Sequence, residues 1–188
     1  MDDVILHVGD IIKRYKCLKN IRIKFTLGKY SSEFGFERHL FHEGNYTKIL
    51  NLLESCDTWD KTETNVYEKF KSEPEKILSS MIILCKNGPY DVLLTVETKK
   101  NSEIFVSEEF KMKSLTFKKK HHTFCLNYCE TTLDENYYTF NIVPDLPKDY
   151  TDTYISHSSL LKIQDVIYMC SETKENLIFT LFKGSAYL

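Results

Sequence analysis

Apolar positions in this chain change period along its length. From residue 3 to residue 16, Val4, Ile5, Val8, Ile11, Ile12 and Tyr15 recur at helical spacing and line one face. Asp2 or Asp3 can cap the start of that helix. A strand follows at 20–27, then a loop holding Gly35, then a second helix at 45–55 with Asn45 as N-cap and Tyr46, Ile49, Leu50 and Leu53 as its buried face. Beyond residue 63 the period falls to two. Strands are expected at 64–70, 77–85, 90–98, 103–106, 110–117, 118–128, 136–143, 162–170 and 176–183, separated by short polar turns such as Lys86-Asn87-Gly88-Pro89. Pro144 to Ser159 has no sustained period and reads as a surface loop, after which Ile163–Cys170 and Leu177–Phe182 look like a closing hairpin. The pattern predicts an α+β, mostly β fold: an antiparallel sheet closed into a barrel, with a few helices packed on it.

Composition narrows the class. Of the 188 residues, 42% are hydrophobic and 13% aromatic, enough to bury one full core, so a single domain over 1–188 is expected. The formal net charge of −2 excludes a global attraction to nucleic acid, and any such affinity has to be local. Cys17, Cys56, Cys85, Cys125, Cys129 and Cys170 are scattered; Cys125 and Cys129 share a strand face, but no second pair stands at zinc spacing. The amino terminus is charged and polar from Asp2, so no secretory leader is expected. Reduced thiols in an intracellular setting follow, whether nucleus, cytoplasm or a viral factory. No apolar stretch approaches the roughly 20 residues that cross a bilayer.

Two short strands point to a family. Ile21-Arg22-Ile23-Lys24-Phe25-Thr26-Leu27-Gly28 resembles the first Glu-x-Glu strand of the tunnel-type RNA 5′-triphosphatases of mRNA capping, and Tyr138-Thr139-Phe140-Asn141-Ile142-Val143 resembles the second. Between them, Phe41-His42-Glu43-Gly44 and residues 46–53 look like that family's turn and following helix. Asp91-Val92-Leu93-Leu94-Thr95-Val96-Glu97 is similar to its Asp-x-Arg-x-Ser strand with Leu93 at the arginine, and Phe117 to Phe124 to its basic strand. The resemblance runs in order from about residue 3 to residue 143. It implies a triphosphate-tunnel-like barrel in which two acidic strands face each other, hold a hard divalent cation through carboxylates, and leave Lys and Arg to grip the RNA triphosphate.

This sequence departs from that pattern where the metal would bind. Arg22 and Lys24 stand at the two Glu of the first strand, and Thr139, Asn141 and Val143 at the three Glu of the second. Two cations repel a metal, so these are degenerate metal positions, with no metal ligand and no cofactor expected. Mg or Mn enters only if unaligned carboxylates such as Glu33, Glu37 or Glu97 rebuild the site. The strongest candidate phosphate or RNA ligands are Arg22, Lys24, Lys111, Lys113, Lys118, Lys120 and His122; if 118–124 is one strand, Lys118, Lys120 and His122 point the same way. The plain alternative is a solvated face balanced by Glu97, Glu108 and Glu109. His121 and His122 with His39 or His42 read as ordinary surface histidines, Asp57, Asp60, Glu63, Asp134 and Glu135 as turn residues, and Trp59 as a packing anchor.

Three functions are compatible with this reading. The first is a non-catalytic family member acting as a binding or scaffold subunit of the capping or transcription machinery, with a protein partner and an RNA 5′ end or polyphosphate as candidate ligand. The second is a divergent metal-dependent RNA 5′-triphosphatase. The third is a structural interaction module similar to the triphosphatase-related barrel subunits of the Mediator head.

Overall fold

Strand β1 (Ile21–Ser31) sends Ile21, Ile23, Phe25 and Leu27 to one side and Arg22, Lys24 and Thr26 to the other, because side chains of an extended chain alternate. The computed structural model describes residues 1–38, 41–67, 76–98, 110–131, 136–147, 149–172 and 175–183. In it β1 lies inside an antiparallel sheet. The order is β3 (Asp60–Tyr67), β6 (Phe110–Lys119), β7 (His122–Thr131), β8 (Asn136–Pro144), β1, β5 (Asp91–Thr98), β4 (Ile77–Lys86) and β9 (Ile178–Leu181). A short β2 (Gly35–Glu37) folds back on the end of β1.

The apolar side of this sheet is one contiguous core. Phe25, Phe140, Ile142, Phe124, Leu126, Phe117, Leu94 and Val96 meet Val4, Val8 and Ile12 of α1 (Asp2–Tyr15), Ile49 and Leu53 of α2 (Glu43–Glu54), and Leu160, Ile163 and Ile167 of α3 (Asp152–Cys170). On the other side the sheet is enclosed at β5, where every residue from Asp91 to Glu97 is buried whichever way it points. A strand covered on both faces reads as a continuous apolar run, which is why Val92 to Val96 hides its alternation.

The α+β, mostly β architecture matches expectation. Among the described residues no ladder of hydrogen bonds joins β3 to β9, so the expected barrel is not closed by its backbone. The largest difference lies after Pro144. Residues 152–170 form the helix α3 in place of a loop and a strand, with Ile155, Ser156, Ser159, Leu160, Ile163, Val166, Ile167 and Cys170 as its buried stripe. Two serines broke the apolar pattern. Each is satisfied: Ser156 Oγ donates to the Ile5 carbonyl at 2.7 Å, and Ser159 Oγ lies 3.3 Å from His122 Nε2. Thr151 caps the helix by accepting from the Tyr154 N–H.

Smaller corrections follow the same logic. Met1 holds the N-cap position of α1, and Asp2 and Asp3 sit in its first turn, where they complement the helix dipole. Helix α2 begins at Glu43 with His42 at the N-cap, while Asn45 turns its amide to the Tyr90 hydroxyl at 2.6 Å. Asp60 and Glu63 belong to β3, which starts earlier than expected. The expected strand 118–128 is split by a turn at Lys120 and His121: Lys118 and Lys119 end β6, and His122 opens β7. The expected strand 103–106, His39, Asp134 and Glu135, and Glu108 and Glu109 lie outside the described residues.

Gly28 is required where β2 folds over β1. A Cβ there would sit 2.3 Å from the Glu37 carbonyl oxygen and 2.7 Å from Cε1 of Phe36, and a backbone oxygen cannot step aside alone. Gly28→Ala is expected to destabilise the protein by about 1–3 kcal/mol through overpacking. Denaturant unfolding checks this, and an unchanged midpoint would mean that β2 does not cover the glycine.

Candidate functional site

The polar side of the sheet forms the site. Arg22, Lys24 and Thr26 of β1 are flanked on one edge by Glu97, Thr95 and Leu93 of β5, their respective Cα partners. On the other edge Thr26 pairs with Asn141 of β8, which pairs in turn with Cys125 of β7. Val143 stands opposite Thr123, and Thr139 opposite Asn127. The two strands singled out by sequence are therefore hydrogen-bonded neighbours, side by side rather than face to face.

Neutral side chains along this face satisfy one another. Thr26 Oγ1 donates to Asn141 Oδ1 at 2.7 Å, and the Asn127 amide donates to Thr139 Oγ1 at 3.0 Å. The charges do the same. Lys24 Nζ is 2.7 Å from Glu97 Oε1, which also accepts from Thr95 Oγ1 at 2.7 Å. Glu97 is only 3% exposed, and that ammonium compensates its buried charge. Cys125 lies in the field of Arg22 and Lys24: burial pushes its thiol pKa up, and the two cations pull against that shift.

This donor set does not fit a divalent cation. Mg and Mn take oxygen ligands that include one or two carboxylates, whereas Thr26, Thr139 and Asn141 are neutral, the carboxylate of Glu97 is engaged by Lys24, and that of Asp91 accepts from the Cys85 and Tyr30 N–H groups. Glu33 is exposed in the turn after β1, and Glu37 lies on β2 opposite Lys29. Among the described residues no three His, Cys, Asp or Glu side chains converge at metal distances.

The basic run does not converge on this face as a set. Lys118 points to the same side as Arg22 but lies exposed at the rim, paired with Asp145 at 3.2 Å. Lys113 is exposed and paired with Glu63 at 3.0 Å. Lys120 is in the hairpin turn at φ 52°, and Lys111 is on β6, in register with Tyr67 and Glu130. His122 is the clearest misplacement. It points to the helix side and is buried beside Ser159, so the position expected to meet phosphate is part of the core. Burial, with Lys162 and His121 adding to it, lowers its pKa to about 4. Trp59 packs as expected, its ring 4.9 Å from Phe124 and under Lys119 Nζ at 5.5 Å.

Sequence reading missed Thr95, Cys125 and Asn127 as members of the face. The period of two from Arg22 to Thr26 was visible, but the register that sets these residues beside it was not.

No protein-family model matches this chain, and no curated protein does. Two solved structures share its fold. The RNA triphosphatase Pct1 of S. pombe superposes with a TM-score of 0.66 at 9% identity, over 92% of this chain and 94% of that one. The same enzyme in complex with the Spt5 CTD gives 0.64 at 10% identity, over 92% and 95%. The chain therefore has the tunnel-type triphosphatase fold.

Proposed function

We propose that this protein is a non-catalytic relative of the capping RNA 5′-triphosphatases, serving as a binding or scaffold subunit of an intracellular capping or transcription complex. A shared fold carries no chemistry by itself, and the site residues decide the matter. The observation that supports this reading is the Lys24–Glu97 pair at 2.7 Å: the buried carboxylate beside the degenerate positions neutralises a lysine at a position the family gives to a metal ligand. A protein partner is consistent with the S. pombe enzyme having been seen with the Spt5 CTD. Arg22 and Lys24 remain the candidate contacts for an RNA 5′ end or polyphosphate, without a metal ion.

The test is release of γ-phosphate from triphosphate-ended RNA and from a nucleoside triphosphate with manganese or magnesium. No turnover above a protein-free blank is expected. Turnover that disappears in Glu97→Gln, or in variants of Glu33 or Glu37, would make the divergent-enzyme reading correct instead.

A further inference from the structure

Away from the polar face, three rings form a ladder on the surface. His121 in the β6–β7 turn lies 4.7 Å from Tyr150, tilted by 56°, and Tyr150 stacks on Tyr154 of α3 at 5.0 Å with 24° between the planes. The Asp145 N–H donates to the His121 carbonyl at 2.7 Å, which fastens the end of β8 to the hairpin that carries the first ring. Its outer end is open: Tyr150 is 36% exposed and Tyr154 52%. Lysines 118, 119 and 120 crowd the same turn. Lys118 is balanced by Asp145, and Lys119 is tied to Thr58 and Trp59, while Lys120 is exposed and makes no ion pair among the described residues.

An exposed stacked pair of tyrosines, edged by an imidazole and beside a cation, matches the two features of a single strand, flat bases and a phosphate at each step. We infer that the His121–Tyr150–Tyr154 ladder is a stacking platform for single-stranded nucleic acid, with Lys120 holding the backbone. This site is separate from the sheet interior and goes beyond the function proposed above. Asp149 is exposed nearby, and Asp152 is paired with Lys16, so charge contributes little and stacking supplies most of the affinity.

Fluorescence anisotropy decides it, using eight-nucleotide oligouridine, oligodeoxythymidine and an abasic strand of equal length. All carry a 5′ hydroxyl, so the outcome does not depend on triphosphate binding at Arg22 and Lys24. At low salt both base-containing strands are expected to bind, and the abasic strand at least about fivefold more weakly, the factor for losing ~1 kcal/mol of stacking. Tyr154→Ala brings the base-containing strands down to the abasic level, and Tyr154→Phe, which keeps the ring, binds as the parent does. Lys120→Ala lowers the slope of log affinity against log salt by about 0.7. Equal binding of abasic and base-containing strands, equal loss in Tyr154→Phe and Tyr154→Ala, or no binding at low salt would each overturn the assignment.

Discussion

Replacing Lys24 by methionine is expected to remove about 3 kcal/mol of stability, although the side chain keeps its length and most of its volume. The cause is the carboxylate left behind. Glu97 is 3% exposed and its Oε1 is held by Lys24 Nζ and Thr95 Oγ1 at 2.7 Å each, so without the ammonium a buried anion loses a charged partner. In a chain of this size a loss of 3 kcal/mol lowers Tm by about 6–12 °C. A second substitution separates this account from simple repacking. Lys24→Met with Glu97→Met together should recover most of the loss, because a buried pair replaced by apolar groups of similar size is close to neutral. A single variant that melts with the parent would show that Glu97 does not need Lys24.

Acid should weaken the protein in a window set by His122. Its folded pKa is lowered to about 4 from the usual 6.5, first by burial, then by Lys162 and His121, with Asp145 opposing. The unfolded chain thus takes up a proton at a pH where the folded chain refuses it, and stability falls as pH drops from 6.5 towards 4. Above 6.5 the group is neutral in both states and has no effect, and below 4 the loss is complete. A shift of this size is worth roughly 3 kcal/mol over the window. His122→Gln keeps a polar group beside Ser159 and does not titrate. The difference in unfolding free energy between parent and variant should therefore change between pH 6.5 and 4 and be flat above 7. A difference that stays constant across that range would mean that the imidazole protonates freely in the folded state.

What could be read from sequence, and what could not, follows from the kind of signal each residue leaves. Arg22, Lys24 and Thr26 alternate with Ile21, Ile23 and Phe25, so the polar face of β1 was visible without a structure. Order and spacing of the motifs then gave the fold class. Helix α3 escaped because Ser156 and Ser159 are buried in its apolar stripe, and their hydroxyls are satisfied by Ile5 and His122, far away in the chain. The site was half legible for a similar reason. Positions on β1 and β8 can be named from alternation, but the partner that neutralises Lys24 depends on the register between β1 and β5, strands that lie far apart in the chain. His122 failed because one turn at Lys120 and His121 reset the alternation and moved the imidazole to the opposite side of the sheet.

The placement of β1 also constrains how the chain reaches its native state. Strand β1 lies between β5 and β8, and its Thr26 bonds to an asparagine 115 positions later, while Ser156 of α3 reaches back 151 positions to α1. Neither flank of β1 exists while the early residues leave the ribosome. Assembly therefore waits until β8 and α3 have been made and must close long loops before they are rewarded, which makes for slow, all-or-none folding with a nascent apolar strand in need of protection.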